Sequence, residues 1–487
     1  MRAPRKKSGR SAAAALSARL LSHVTLQAQT GGDIVARFDD VALGLGKFNP
    51  ETAERAKQLR AGLPLSAFAS GEREADKEMH VLVRRLAGRG LIEYRLGRAQ
   101  SEDLVVIEPQ LPDYWPHLPQ LGTADTLVLS RFAYMRRRAD ELVLESPRAG
   151  ALFKIRDPKI AAALALLVTP QQIKQFRRQK DFPGPELLAL LVDCQILFKT
   201  DGDGLRPAEG DDALVLWDFH DLLFHARSTE GRHANPLGGA YPYADAIAPL
   251  PAVRASWPGN KIDLREVSAL PLEVSSPAAK LLRERHSTRD FDNQRPITLA
   301  ELARFLDATT RVQSEFKAPL DYAGGGGGPE LSYTMRPYPS GGASYELELY
   351  LAVDTCEELP RGFYHYDAGG HALVPIETRG HQLDALLKSA EFAMGVSAAP
   401  QILITIAARF GRVSWKYSSL AYALILKDVG ALMQTFYLMA TDMGLGGCAI
   451  GTTNIELFAK MTGLQFHAEG PVGQFALGRG TKPEAPR

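Results

Sequence analysis

Apolar and polar positions along the chain switch between a period of two and a period near 3.6, and the switches mark its elements. Thr25 to Phe38 reads as a strand, a turn at Gly31-Gly32 and a second strand. Asn49-Pro50 then opens a helix from Glu51 to Arg60. The asparagine side chain caps free amides, and proline suits the first turn, where an amide has no partner. A second helix is predicted over Asp76 to Ala87, because Met79, Leu82, Val83 and Leu86 share one face. Gly88 and Gly90 end it, and Leu91 to Leu96 returns as a strand. This is a winged-helix order.

The plan then recurs. Leu127 to Tyr134 and Glu141 to Ser146 read as strands. Asp157 caps a helix through Val168, Thr169-Pro170 starts a short one, Pro185 to Asp193 makes a third, and Ile196 to Lys199 is a strand. Leu82, Leu86 and Leu91 match Leu187, Leu191 and Ile196 at a constant offset of 105 residues. The recurrence predicts a structural duplication.

From Leu205 to Pro277 the chain is rich in proline, glycine and aromatics. A short helix is expected over Trp217 to His225, followed by irregular chain that is functional or wraps another element. His220, His225 and His233 are spaced five and eight residues apart, which fits no zinc pattern, and no metal site is expected. The predicted organisation is a basic tail (1–20), two winged-helix modules (21–115 and 116–205), a linker (206–277) and a C-terminal domain (278–487).

A length of 487 residues suggests two to four domains at about 100–200 residues each. Hydrophobic residues make up 45% and charged residues 23%, which excludes a disordered or collagenous chain. Basic and acidic residues number 57 and 56, so no polyanionic partner is demanded. Residues 1–110 hold 18 basic and 13 acidic side chains. Arg2, Arg5, Lys6, Lys7 and Arg10 in the tail account for that surplus of five. The first module is therefore near neutral, and nucleic acid is not its expected partner. A neutral winged helix can bind a peptide as an added strand, or act as scaffold.

Ala161 to Val168 is an apolar run of eight residues, against the roughly 20 that a membrane helix needs, so no membrane span is expected. The N-terminus has the basic start of a targeting peptide, but Arg19 interrupts its apolar part. It reads as a tail leading into a helix or strand. Cys194, Cys356 and Cys448 are far apart and form no Cys-x-x-Cys pair, which fits a reducing cytoplasm.

Candidate chemistry lies in the last domain. Arg285-His286-Ser287-Thr288-Arg289 offers two guanidiniums, an imidazole and two hydroxyls, which suit a phosphate monoester. A solvated helix end is the alternative. Gly324 to Gly328 is either a lid or a linker. His365 and His371 belong to a hairpin over Gly362 to Ile376 with a Gly369-Gly370 turn, and read as structural or exposed. Cys448 reads as packing.

Four segments in order resemble the nitroreductase-like flavin mononucleotide (FMN) fold. They are Arg285 to Phe291 with Pro296-Ile297-Thr298, Arg336 to Ala343 before a strand Leu347 to Val353, a helix Leu424 to Met443 ending in Gly444-Leu445-Gly446-Gly447, and Phe475 to Gly480. They cover residues 278–482. The resemblance implies an α+β domain with a mixed central sheet flanked by helices. It implies that Arg285, Ser287 and Arg289, with His286 alongside, hold the FMN phosphate and ribityl chain. Pro339, Ser340 and Gly341 would approach the flavin, commonly from the partner subunit of a homodimer. Gly446 and Gly447 would run beside its ring, where only a bare backbone can come close. Arg479 would return to the phosphate.

The long front part makes the chain more similar to SagB-type dehydrogenases, and among them to cyanobactin oxidases, which carry tandem winged-helix peptide-clamp domains. These enzymes oxidise thiazolines and oxazolines in ribosomal peptides to thiazoles and oxazoles, and oxygen reoxidises the flavin. Lys416-Tyr417 resembles the Lys-Tyr pair of that branch. Aromatising the ring removes a proton and a hydride, so a base is needed, and the resemblance makes Lys416 that base and Tyr417 its helper. The implied partners are an azoline-containing precursor peptide and a cyclodehydratase of the same pathway. Two other readings stay open: a nitro- or quinone-reductase using NAD(P)H, and a non-catalytic peptide-clamping subunit.

Overall fold

The computed structural model describes residues 14–38, 41–68, 71–97, 103–176, 184–200, 210–234, 237–265, 268, 276–320 and 328–481. The chain forms two compact units. The first runs through Arg227 and takes in Gly231–Asn235, and the second comprises Ser228–Glu230 and residues 236–487. Residues 1–13 of the basic tail and Gly324 to Gly327 of the glycine run lie outside the described residues.

In the first unit, strands β1 (Ala15–Leu20), β2 (Thr25–Ala28), β3 (Asp33–Phe38) and β4 (Val41–Lys47) precede a helix at Pro50–Ala56. Asn49 caps that helix, its side chain accepting from Thr52 N at 2.7 Å. Strand β5 (Leu63–Pro64), a helix at Glu74–Ala87, β6 (Ile92–Gly97) and β7 (Asp103–Pro109) follow. Met79, Leu82, Val83 and Leu86 are fully buried, as their spacing predicts.

The order then repeats: β8 (Thr126–Leu129), β9 (Tyr134–Arg138), β10 (Glu141–Glu145), β11 (Ala151–Ile155), a helix at Pro158–Ala165, β12 (Gln171–Gln172), a short helix at Ile173–Phe176, a helix at Pro185–Asp193 and β13 (Leu197–Thr200). The pairing repeats too. β1 lies between β5 and β6, and β8 lies between β12 and β13. At the 105-residue offset, Leu91 N donates to Leu86 O (3.0 Å) and Ile196 N to Leu191 O (2.9 Å). The left-handed turn residue is Gly90 in the first copy (φ 65°) and Gln195 in the second (φ 55°). The six matched apolar residues are all buried.

Three expectations change. Ala15–Leu20 is not tail but a strand with Ala18 fully buried, because its short apolar stretch supplies the missing partner of β6. Leu127 to Tyr134 is not one strand: the chain turns at buried Phe132 and continues as β9. The two halves are not separate modules divided at residue 115. β7 pairs antiparallel with β11, giving one sheet of order β5-β1-β6-β7-β11-β10-β9 and one apolar core. The helix Phe219–Ser228, expected in the linker, belongs to this unit as far as Arg227. Its His225 stacks on Trp217 with ring centroids 5.7 Å apart.

The second unit carries a hairpin, β14 (Ser314–Pro319) and β15 (Glu330–Met335), and a six-stranded sheet. Its strands are β16 (Leu347–Val353), β17 (Gly362–Asp367), β18 (Ala372–Ile376), β19 (Ile402–Arg409), β20 (Gly446–Ile450) and β21 (Glu469–Gly478), in the order β18-β17-β16-β19-β21-β20. All five pairings are antiparallel, and among the described residues parallel contact is confined to isolated bridges at Glu230–Asn454 and Thr298–Glu357. The central strands are buried on both faces and read as near-continuous apolar runs, as in Ile402–Ala408, which Thr405 alone interrupts. The α+β class read from the sequence holds, but the expected mixed central sheet is antiparallel instead, because each of its neighbouring strands runs against the next.

Helix Leu299–Thr310 starts at a capping box formed by Thr298 and Glu301. The 22-residue helix Ala421–Asp442 packs on it and on the sheet through Phe436, whose ring lies 5.2 Å from both Phe305 and Phe475. By length and composition alone this helix would cross a membrane. Its buried stripe and its bonded Asp428 and Tyr437 make it a structural helix of the domain. In the hairpin, Glu348 lies 3.5 Å from His365 and raises the imidazole above its usual range, and His371 hydrogen-bonds the Tyr366 hydroxyl at 2.7 Å.

Candidate active site

Two clusters form at different levels of the long helix Ala421–Asp442. The first gathers around Tyr437. Helix Pro277–Glu284 ends at Arg285, whose guanidinium lies over the Tyr437 ring at 5.0 Å. Ser287 Oγ and the Tyr437 hydroxyl share a 2.9 Å hydrogen bond, and that hydroxyl accepts from Ala449 N at 2.8 Å. Thr288 N donates to Gly447 O at 2.8 Å. A Cβ on Gly446 would stand 2.6 Å from the Thr288 side chain, and one on Gly480 would stand 3.0 Å from it. Three segments far apart in sequence therefore meet with no room for side chains.

His286 and Arg289 are exposed beside this contact. His286 Nδ1 lies 3.0 Å from Glu284 O. Among the described residues neither Arg285 nor Arg289 pairs with a carboxylate. Burial pushes up the thiol of Cys448 in β20. Gly446 and Gly447 are not in a loop, as their sequence suggests. They open β20 and pair with Gly478 and Leu477, because a glycine pair also permits close strand approach.

Arg479 does not join this cluster through its side chain. Its guanidinium makes two hydrogen bonds to Glu301, at 2.9 and 2.7 Å, and a third to Arg295 O at 3.2 Å. The expected turn toward a phosphate is therefore not seen, because a nearer carboxylate holds the charge.

The second cluster surrounds Asp428, nine residues before Tyr437, or about 14 Å along a helix axis. Pro339, Ser340 and Gly341 enter a tight turn that includes Gly342 at φ 62°. Gly341 N donates to Asp428 Oδ2 at 2.8 Å, and Ser340 Oγ lies 3.1 Å from the same oxygen and 3.2 Å from Glu346 Oε2. Lys416 and Tyr417 follow the short helix Gly411–Ser414 and face this turn. Lys416 Nζ donates to Gly342 O at 3.2 Å and sits 5.2 Å from the Tyr417 ring centre. A Cβ on Gly342 would collide with the Tyr417 hydroxyl and lie 2.6 Å from Lys416 Nζ.

Sequence reasoning missed Tyr437, Glu346, Asp428 and Glu301. Tyr437 and Asp428 were hidden inside an apolar helical stripe, where their polar atoms are the visible anomaly.

A family model described as nitroreductase matches residues 282–479, and one described as cyanobactin oxidase ThcOx matches residues 127–234. A nitroreductase-like protein of Methanocaldococcus jannaschii is 31% identical over 194 residues, which cover 39% of this chain and 83% of that protein. The chain belongs to the nitroreductase family. It is thus an oxidoreductase of a group that typically binds flavin. The chain is also 31% identical over 124 residues to the microcin B17-processing protein McbC of Escherichia coli, covering 24% of this chain but only 44% of McbC. The solved E. coli McbBCD complex with truncated pro-MccB17 bound aligns over 58% of this chain and 99% of the matched chain, with 17% identity and a TM-score of 0.40. The two family models and McbC agree with the resemblance to cyanobactin oxidase-like, SagB-type dehydrogenases.

Proposed function

We propose that this nitroreductase-family protein is an FMN-dependent dehydrogenase that oxidises thiazoline or oxazoline rings to azoles in a ribosomally made peptide. The observation that carries this reading is the contact of Lys416 and Tyr417 with the Ser340–Ala343 turn. An ordinary reductase needs no amine and phenol poised together at such a turn. The ThcOx match and the McbC likeness support the azoline substrate over a nitro compound.

The residues present fit FMN. Arg285 and Arg289 have no carboxylate partner among the described residues, and Gly446, Gly447 and Gly480 let the backbone pass close to the Thr288 and Phe475 side chains, where a Cβ would not fit. Arg285, Ser287 and Arg289 would hold the phosphate and ribityl chain, with His286 beside them, and the glycines would line the ring. Bound FMN supplies the hydride acceptor. The chain supplies the rest: Lys416 Nζ takes the proton from the ring's α carbon, and the Tyr417 hydroxyl orients the ring. Lys416 is exposed in the single chain, so the enclosed site that a lysine base requires is completed by what binds there.

We infer a homodimer as the completed site. The long helix is mostly unburied, helix Pro277–Glu284 has no buried residue, and Leu250, Trp257 and Ile262 are 92%, 73% and 89% exposed. Apolar surface of this extent marks an interface. A second copy would bring its own Pro339–Gly341 segment to the flavin. The precursor peptide, a cyclodehydratase partner and a cytoplasmic location belong to the same reading.

The test is an absorbance spectrum with identification of the heat-released cofactor, followed by turnover of an azoline peptide. About one FMN per chain, azole formation, and a Lys416→Ala variant that keeps FMN but makes no azole are expected. Rapid NADPH oxidation with menadione and no azoline turnover would favour a reductase. A colourless protein that takes up no FMN would leave the peptide-clamping subunit.

A further inference from the structure

The turn that meets Lys416 rests on two buried carboxyl groups. Glu346, just before β16, is fully buried, and Asp428, in the second turn of the long helix, is 7% exposed. Both face one hydroxyl, that of Ser340, which also accepts from Tyr345 N at 2.9 Å. A hydroxyl has one proton to give, so it cannot satisfy two anions. The second oxygen of Glu346, Oε1, is buried without a hydrogen-bond partner among the described residues. An arrangement of this kind is stable when Glu346 keeps its proton.

We propose that Glu346 and Asp428 are positioning residues for Lys416, acting through the Ser340–Ala343 turn, and that the turn loosens when Glu346 loses its proton. Asp428 anchors the turn at Gly341 N and Ser340, and the turn presents the Gly342 carbonyl to Lys416 Nζ. Burial first, and then the facing Asp428, push the Glu346 carboxyl up to about 7. The other titratable groups that face it are Arg412, from the short helix Gly411–Ser414, and Tyr338, from the approach segment. The Arg412 guanidinium is bound to Ser344 O at 2.9 Å and to Ser332 O at 3.3 Å rather than to Glu346. Burial raises the Tyr338 phenol, which stays neutral through this range. Glu346 therefore carries the change.

The inference rests on the proposed role of Lys416 only where activity is read. Its test therefore includes a measurement that needs no substrate. The full-length protein, its Glu346→Gln variant and its Asp428→Ala variant are labelled with trace acetic anhydride between pH 6 and 8. Acetylation of Lys416 is compared with that of Lys427, an exposed lysine on the same long helix. In the unchanged protein the Lys416/Lys427 ratio should rise with pH as the turn releases. In Glu346→Gln, which keeps a hydrogen there permanently, the ratio should stay flat. In Asp428→Ala it should be at least about 3-fold higher at pH 6, as loss of one hydrogen bond implies. In parallel, Glu346→Gln should hold kcat for azoline oxidation level where the unchanged protein declines toward pH 8. Equal ratios and equal pH profiles in all three proteins would overturn the positioning role. Shifted ratios in a protein that oxidises no azoline would retain the positioning role and remove the azoline reading. Glu346→Gln is nearly isosteric, so it decides the matter even if Asp428→Ala fails to fold.

Discussion

Arg479 and Glu301 close on each other through two hydrogen bonds, although 178 residues separate them. Glu301 also accepts from Thr298 N at 2.9 Å, so the ion pair completes a helix cap. Burial opposes ionisation of this carboxyl, but the bonds from Thr298 and Arg479 outweigh it and hold it below its usual value. Arg479→Ala should lower stability by about 1–3 kcal/mol, as for a charged hydrogen bond, while leaving FMN affinity little changed. Thermal unfolding and FMN titration would check both. A large loss of FMN affinity would return Arg479 to the phosphate site.

Arg285 and Arg289 should behave in the opposite way. Replacing either with Ala removes a cation with no carboxylate partner among the described residues, so stability should change by no more than about 1 kcal/mol, the larger loss falling on Arg285, which also leaves the Tyr437 ring. FMN binding should weaken by roughly 10-fold or more, the loss of a charge-assisted bond to phosphate. Fluorescence titration with FMN reads this directly.

Gly446→Ala tests the close contact itself. The new methyl would stand 2.6 Å from the Thr288 side chain, so the Arg285–Arg289 segment must shift away from Gly447. A cost of about 1–3 kcal/mol is expected, together with fewer FMN per chain. Retention of full FMN content would show that the segment can move without loss of the site.

Gly342→Ala acts on the other cluster. A left-handed backbone at φ 62° costs an alanine about 1 kcal/mol, and its methyl meets Tyr417 and Lys416. FMN content should hold while kcat falls. A variant that loses FMN but keeps its rate per bound FMN would contradict the division into two clusters.

Stability should also report on Glu346. Its folded value of about 7 lies above the ordinary 4.5, so the folded state binds more protons between those values. Stability is then greatest below pH 4.5 as far as this group is concerned, falls as pH rises through about 7, and is level beyond. Glu346→Gln should remove that decline. Urea unfolding of both proteins at pH 5.5 and pH 8 would measure it.

Much of this was legible without coordinates because it is local. Asn49 and Asp157 cap the helices their positions predict, since a cap needs only amides two or three residues away. Met79, Leu82, Val83 and Leu86 declare a buried face by spacing alone, and β16 spans Leu347–Val353, as the resemblance implies. The duplication shows as a fixed offset because each copy must bury the same positions. The arginine-rich segment and the glycine pair were visible as residue types suited to an anion and to close backbone approach.

What only the tertiary structure decided depends on partners distant in sequence. Ala15–Leu20 reads as tail until β5 and β6 close on it. Gly446 and Gly447 read as a loop until β21 pairs with them. An arginine looks available until the chain brings it a carboxylate, as Glu301 is brought to Arg479. Asp428 is one polar residue in an apolar helix until Ser340, 88 residues earlier, is folded against it. Periodicity and capping are set by neighbours along the chain, whereas the charge state and freedom of a side chain are set by neighbours in space.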